Sequence, residues 1–317
     1  MQTDTEWERW AVLAEAAELY YLKGMQQAEI ASKMNISRSL VSKMITEAQH
    51  KGIVTISINH FFRRAEDLES GLRDRYGIDA AVLRLPRGFG HDEIKKQLGR
   101  FSADIIYSRL EPGSFVGFTF GTSLKEAVDA LALKPPLSIA AVQLAGSLGA
   151  SEAAFDSHEL VHKLSSSWNC GSVYLHAPYI VSSEEIRRQL FKSMSNNQNA
   201  EACKSLNAAV VGMSSFDSRS SSALYAGGHI SAIDMKDMRA RGIIGDIGSF
   251  SLDDDGKLIE VDSLTRMVAF DEKSWKSVKN RFGIAFGDSK IRIIKASLKG
   301  GWLTTFITDE QTADKII

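Results

Sequence analysis

The sequence predicts an α/β protein in two parts: an N-terminal winged helix-turn-helix over residues 1–60 and a larger α/β domain over residues 77–317, joined by a helix over 61–76. Three observations predict it. Residues 20–59 read as two short amphipathic helices around a tight turn, followed by an alternating strand. From residue 77 short apolar strands alternate with helical stretches, the pattern of a mostly parallel sheet flanked by helices. The chain has 317 residues and 44% hydrophobic content, enough for a small module plus one sizeable core.

In residues 25–34, Ala28, Ile30, Ala31 and Met34 fall near helical spacing and leave Gln26, Gln27, Glu29 and Lys33 polar. Asn35 tolerates the left-handed backbone of a sharp interhelical turn, and Ser37 can cap the next helix with its hydroxyl. From Arg38 onward, Leu40, Val41, Met44, Ile45 and Ala48 form one apolar face. Arg38, Ser39, Ser42 and Lys43 lie elsewhere on the wheel. Such side chains reach phosphates and base edges, and with Gln26, Gln27 and Ser37 they form the expected DNA-binding set. Gly52 ends the helix, and residues 53–59 alternate as a half-buried strand, the wing. Helix pairs with four-residue turns also occur in all-α cores. Here the turn chemistry, the outward polar set and the following strand agree on DNA reading.

Charge agrees as well. Residues 21–60 hold five Lys/Arg against two Asp/Glu, while the whole chain carries a formal charge of −1. That excludes a protein that coats DNA nonspecifically, which would be basic throughout. Cys170 and Cys203 have no CxxC spacing and no secretory signal precedes them, so packed thiols in a cytoplasmic protein are expected. No apolar run reaches the eighteen or more residues of a membrane span.

In the joining helix, Phe61, Ala65, Leu68, Leu72 and Tyr76 fall at spacings of three and four. This stripe either docks on the large domain or pairs with its copy in a second subunit, aided by Trp7, Trp10, Leu13 and Tyr20. The second alternative implies a homo-oligomer, a dimer or tetramer, that spans two operator half-sites.

In the large domain, strands are expected over residues 80–85, 115–120, 139–144, 172–177, 208–212, 243–250, 281–286 and 303–307. Helices are expected over 94–110 and 123–131. Ligands in such sheets sit outside the carboxyl ends of the strands. At the first such end, Gly121, Thr122 and Ser123 lead straight into a helix and offer free N–H groups, hydroxyls and a positive dipole end, an anion cradle. It is not a Walker A loop, because no Gly-Lys-Ser/Thr follows. A plain Ser/Thr cap after a glycine turn is the bland alternative. At the second end, Gln143 sits in an apolar run, where an amide needs partners and implies a polar cleft beside Gly146. At the third, Asp246 is a lone carboxylate among apolar and small residues, suited to sugar hydroxyls. Lys290 opens a helix near the C-terminus, where an ordinary surface lysine is the competing reading.

Three other features are set aside. His158 and His162 have the i,i+4 spacing of a metal pair but no third ligand, so no metal is expected. Asp253-Asp254-Asp255-Gly256 fails the spacing of a calcium loop, and a hairpin turn suffices. Residues 195–199 (SNNQN) read as a loop or a connection.

The motifs in order resemble the SorC family of bacterial transcriptional regulators. The carrying segments are LYYLKGMQQAEIASKMNISRSLVSKMITEAQHKGIVTISIN, GFTFGTSL, VQLAGS, HAPYIV, RGIIGDIGSF and GIAFGDSKIRIIKASLKGGWLTTFITDEQTADKII. The resemblance covers nearly the whole chain and implies a winged helix-turn-helix joined to a Rossmann-like effector-binding domain, similar to sugar-phosphate isomerases and deaminases. It implies a carbohydrate-operon regulator that binds operator DNA and responds to a sugar, sugar alcohol or sugar phosphate. Gly121, Thr122 and Ser123 would then hold the effector's anionic or hydroxyl-rich end, with Gln143, Asp246 and Lys290 on its other groups. The sequence departs from the family pattern at Phe120, where a Trp is common. It departs again at Ala145-Gly146-Ser147, where Asn or Lys before Gly-Gly is usual, so a Schiff base from that position is excluded. No cofactor and no catalytic residue is expected. The alternative is a sugar-phosphate isomerase or deaminase-like enzyme with an accessory DNA-binding module, which would need a paired acid and base that the sequence does not display.

Overall fold

The computed structural model describes residues 4–54, 62–86, 88–149, 154–216, 230–261 and 264–317. The chain divides into two compact units, Met1–Phe61 and Phe62–Ile317.

In the first unit, α1 (Asp4–Ala17) continues into a π-helical turn, Glu18–Leu22, followed by α2 (Gln27–Met34) and α3 (Arg38–His50). The Glu29 carboxylate accepts the Gln26 N–H at 2.7 Å and closes the start of α2. Asn35 takes φ 55°, ψ 45°, as the turn chemistry requires. Ser37 Oγ accepts the Leu40 N–H at 3.2 Å. Val41, Met44, Ile45 and Ala48 are buried, against Leu13 and Ala16 on one side and Leu19 and Ile30 on the other. Leu40 departs from the expected face and is 44% exposed. The stripe is set by the spacing of Val41, Met44, Ile45 and Ala48, and Leu40 lies about a quarter turn from its centre. Ile53 and Val54 pack against the α1–α3 core. The rest of the expected wing strand, residues 55–59, lies outside the described residues, as does Phe61.

The second unit is a sheet with helices on both faces. Its strands are β1 (Arg63–Arg64), β2 (Asp79–Arg84), β3 (Phe115–Phe118), β4 (Ala140–Gln143), β5 (Gly171–Val173), β6 (Ala208–Ser215), β7 (Gly245–Ile247), β8 (Phe250–Leu252), β9 (Asn280–Ile284) and β10 (Thr305–Asp309). They lie in the order β1-β2-β10-β9-β6-β3-β4-β5, with β7 on β6 and β8 on β7. From β2 to β5 along that order every pairing is parallel. β1 runs antiparallel to β2. Alternation assigns the faces: Ala80 and Val82 enter one core, Ala81 and Leu83 the other.

Helices α4 (Glu66–Tyr76), α9 (Met194–Lys204), α10 (Ala232–Ala240), α12 (Ile291–Lys299) and α13 (Glu310–Ile316) cover the first face. Helices α5 (His91–Tyr107), α6 (Thr122–Leu131) and α7 (Ser157–Trp168) cover the second. Two short helices, α8 (Glu184–Phe191) and α11 (Glu272–Ser277), complete the unit.

Two expectations are corrected and one open alternative is decided. Residues 243–250 are not one more strand of the parallel set but the antiparallel hairpin β7–β8, reversed at Gly248 with φ 66°. Residues 195–199 lie in α9 rather than in a loop. Their amides serve as tertiary tethers: Asn196 Oδ1 accepts the His176 N–H at 2.8 Å, and Asn199 Nδ2 donates to Gln143 O at 2.8 Å. The joining helix belongs to the large unit. Leu72 is fully buried in its core, Tyr76 Oη donates to Ile316 O at 2.7 Å, and Glu69 accepts the Val82 N–H at 2.8 Å while pairing with Arg64. Of the two readings of that stripe, docking on the large domain is the one the structure shows.

Candidate effector pocket and DNA-reading helix

The chain steps outward from β3 through β4 to β5, then returns to place β6 on the other side of β3 and continues through β9 to β10. The strand order therefore reverses between β3 and β6, and the crevice outside their carboxyl ends is where such sheets bind ligands.

β3 leaves through Thr119 and Phe120 into Gly121, whose φ of 142° lets the chain turn directly into α6. The Gly121 N–H donates to Phe155 O at 3.0 Å, and Lys125 is the first residue to bond back, to Gly121 O at 2.9 Å. No side chain caps this helix. The N–H groups of Thr122, Ser123 and Leu124 thus have no protein acceptor among the described residues. Thr119 is fully buried and its Oγ1 has no hydrogen-bond partner among the described residues. Its methyl lies 3.6 Å from where Gly248 would carry a Cβ, so the side chain stands between the β3 end and the β7–β8 turn. An uncapped helix start at a strand end is a donor set suited to an anion or a polyol.

The other wall comes from β7 and β9. Asp246 lies opposite Ser214 of β6 and is 6% exposed. Lys290 precedes α12, half-buried, with its N–H on Gly287 O at 3.0 Å. Burial pushes the Lys290 ammonium down to about 8; the Asp246 charge opposes that shift and the Lys95 charge adds to it. Tyr179 is buried, and burial first and the Asp246 charge second raise its phenol well above the usual tyrosine range. Its ring packs edge-on against Phe120 at 4.9 Å. Asp246 is therefore the electrostatic neighbour of both Lys290 and Tyr179. The set combines donors, a carboxylate acceptor and a cation.

Gly121, Thr122, Ser123, Asp246 and Lys290 all stand at this edge of the sheet. Gln143 and Gly146 are employed elsewhere. Gln143 Nε2 donates to Ala145 O at 2.7 Å and its Oε1 accepts the Leu175 N–H at 3.0 Å, so backbone meets the amide's need for partners. Gly146 donates to Val268 O at 2.8 Å. A Cβ there would come within 2.6 Å of Pro178 O, so the close approach of the HAPYIV segment explains the glycine. Two residues at this edge of the sheet lay outside the sequence candidates, Thr119 and Tyr179. Tyr179 had a signal, since HAPYIV was already one of the motif segments.

The remaining candidates stay structural. Among the described residues no cluster of three His, Cys, Asp or Glu side chains is placed to hold a metal. His158 stacks on Tyr174 at 4.7 Å. Asp253 Oδ1 accepts the Asp255 and Lys257 N–H groups, the turn expected there. Both cysteines are free thiols, and burial pushes the Cys203 thiol up to about 12.

In the smaller unit Gln26, Ser37, Arg38, Ser39, Ser42 and Lys43 are exposed and Gln27 is half-buried. A shallow groove of about 350 Å³ runs along Ser42, Lys43, Thr46, Glu47 and His50. Glu47 would repel phosphates there, but Arg9 of α1 donates to it through Nε at 3.0 Å. That bond holds the Glu47 carboxyl below its ordinary range. The cation from α1 screens the acidic group that lines this groove.

A helix pair of this form joined to an α/β ligand domain defines a ligand-sensing transcriptional regulator. The chain belongs to the SorC family of these regulators, and the Sugar-bind family of sugar-binding domains matches its residues 59–317. It is similar to the sorbitol operon regulator of Klebsiella pneumoniae, 25% identical over 308 residues that cover 96% of this chain and 97% of that one. It is equally similar to the deoxyribonucleoside regulator of Bacillus subtilis, 25% identical with 98% of each chain covered. The crystal structure of the full-length Klebsiella regulator matches with a TM-score of 0.72, covering 97% of this chain and 98% of that one. A DeoR family regulator from Listeria monocytogenes shares the fold of the large unit, with a TM-score of 0.73 at 23% identity over 80% of this chain and 99% of that one. These relatives are regulators rather than enzymes, which removes the isomerase or deaminase reading.

Proposed function

We propose that this regulator senses a sugar, sugar alcohol or sugar phosphate in the strand-end pocket and reads operator DNA with α3. The reading is carried by the meeting of an uncapped helix start, a buried carboxylate and a half-buried lysine at the topological switch point. The amides of residues 122–124 and Thr119 Oγ1 donate to the effector, Asp246 accepts its hydroxyls, and Lys290 takes an anionic or electron-rich oxygen. In the smaller unit Arg38, Ser39, Ser42 and Lys43 face the groove of the operator, with Gln26, Gln27 and Ser37 at the phosphates. Among the described residues no helix is long and apolar enough to cross a membrane, in keeping with a cytoplasmic regulator.

An effector changes DNA affinity only by as much as it prefers one conformation over another. Removing its acceptor therefore removes the response. The test is operator affinity with and without hexitols, pentoses and their phosphates, in the wild type and in Asp246→Ala. At least one of these ligands should shift the wild type, and that shift should vanish in the variant. An Asp246→Ala protein that responds at the wild-type effector concentration would place the pocket elsewhere.

The assembly reading is a homo-oligomer, a dimer or tetramer. With the α4 stripe consumed inside the large unit, Trp7 and Trp10 of α1, 67% and 43% exposed, remain as apolar surface for it. Light scattering at micromolar concentration should give a mass of at least two chains, falling toward one chain in Trp7→Ser/Trp10→Ser. A monomer mass in the wild type, with and without operator, defeats this reading.

A further inference from the structure

A carboxylate is out of place on a surface offered to a polyanion, yet Glu47 lines the groove of α3 together with Ser42, Lys43, Thr46 and His50. It lies one turn beyond Lys43 on the same side of the helix. Its partner is Arg9 of α1, which donates through Nε to Oε1 at 3.0 Å and through Nη2 to Oε2. Lys51 follows at 3.8 Å. The fork-to-fork arrangement fixes the carboxylate in direction as well as in place. The same hydrogen bonds keep the group ionised.

Stability gives little reason for the pair. Leu13, Ala16 and Ala17 of α1 are already buried against Met44 and Ala48 of α3, and a surface ion pair adds little to such a contact. The Arg9 side chain is 63% exposed and that of Glu47 26%, so the pair stands at the rim of this core, where Glu47 meets the groove. The consequence is electrostatic. Binding without sequence preference rests on phosphates, and a phosphate, which only accepts hydrogen bonds, is repelled by Glu47. The fork also occupies Arg9 donors that could otherwise reach the DNA backbone. A base edge is different. Arg9 takes one acceptor position on each carboxylate oxygen and leaves another, and the cytosine amino group in the major groove donates to a carboxylate.

We propose that Glu47 is a specificity-determining residue of α3: it penalises contact with phosphates and accepts the amino group of a cytosine in the operator, with Arg9 as the residue that positions it. The inference rests on α3 being the DNA-reading helix. It adds a base that α3 selects and a discriminating role for a side chain outside the expected DNA-binding set. Discrimination is a difference of affinities. Bulk DNA meets the repulsion in full, whereas the operator offsets it with a hydrogen bond.

The experiment uses the full chain and two probes: the duplex that the wild type selects from a random-sequence pool, and the unselected pool itself. Glu47→Gln should bind the unselected pool more tightly and the selected duplex no better. The ratio of the two affinities should therefore fall roughly tenfold, the size of one lost base contact. Selection repeated with this variant should lose a cytosine preference at one position of the site. Arg9→Gln should lower the ratio as well, and combining it with Glu47→Gln should lower the ratio no further, since no carboxylate is left to position. A merely structural pair would lower the melting midpoint in both variants and leave the ratio alone. That outcome overturns the proposal, as does a Glu47→Gln protein that binds both probes more tightly by the same factor. If Glu47→Gln changes neither the ratio nor the selected bases while Arg38→Ala and Ser42→Ala lose the selected duplex, the proposal falls and the α3 reading stands. If the wild type selects no duplex, or none of the three variants alters its binding, both fall.

Discussion

In the DNA-reading unit, α3 offers Arg38, Ser39, Ser42 and Lys43 within two turns of a single helix. In the α/β unit the proposed pocket draws Thr119, Gly121, Tyr179, Asp246 and Lys290 from separate strand ends and crossing segments. The first surface is local in sequence, so its face follows from helical spacing alone. The second exists only once a parallel sheet has brought distant ends together, and no local pattern contains it. The contrast extends to energetics. The α3 side chains are exposed and set by the core beneath them, whereas Asp246 and Thr119 are buried. A reading surface tolerates substitution as far as the fold is concerned; a pocket of buried polar groups is tuned as a set.

The sharpest way to break this comparison is to test whether the units are energetically separate. Ile30 is fully buried among Leu19, Val41 and Ile45. Ile30→Ala should cost the small unit about 2–5 kcal/mol. Circular dichroism during urea unfolding should then show an early transition and loss of operator binding, while phosphate or sugar stabilisation of the α/β unit persists. A single cooperative transition, shifted as a whole, would show that the two regions fold as one.

A smaller effect tests the local surface itself. Arg38→Ala and Ser42→Ala should each weaken specific operator binding by roughly 1–3 kcal/mol if they contact base edges. Loss of a phosphate contact would instead weaken all sequences about equally and reduce the salt slope by roughly one. Competition with nonspecific DNA at two salt concentrations separates the outcomes. Unchanged operator affinity in both variants, with the helical signal intact, removes α3 from the interface.

Much of this was legible in the chain. Apart from residues 243–250, which form a hairpin, the expected strands from residue 80 to 307 each have a counterpart within a few residues, because parallel strands buried on both faces are continuous apolar runs. Asp246 stood out as a charge in apolar surroundings, whereas Lys290 was marked only by its place at the start of a helix. What was hidden had a common cause, tertiary hydrogen bonding. Gln143 looked like a cleft residue because its amide needed partners, and only the fold reveals that Ala145 O and the Leu175 N–H supply them. Residues 195–199 looked like a loop because Asn disfavours helix interiors, and only the fold shows Asn196 and Asn199 tied to His176 and Gln143. Leu40 was misplaced for a simpler reason: a stripe read from sequence is wider than the one the core accepts.

The smallest effect asks whether the pocket is tuned in the way its burial implies. Lys290 titrates near 8 in the folded protein against 10.5 for an ordinary lysine. A lysine whose folded pKa is depressed opposes folding while it is charged in the unfolded chain and neutral or strained in the folded one. Between those two values the unfolded chain binds the extra proton, so this group makes stability rise with pH. Lys290→Met removes the titration and its cost together. The stability of the wild type relative to Lys290→Met should therefore improve by about 1 kcal/mol between pH 7 and pH 9, read from urea midpoints of the unliganded proteins. Anion binding should move the other way, weakening as pH rises through 8 and the ammonium is lost. A difference between wild type and variant that stays flat from pH 7 to pH 9 would mean that Lys290 is solvated like a surface lysine. The pocket would then be no more tuned than the face of α3.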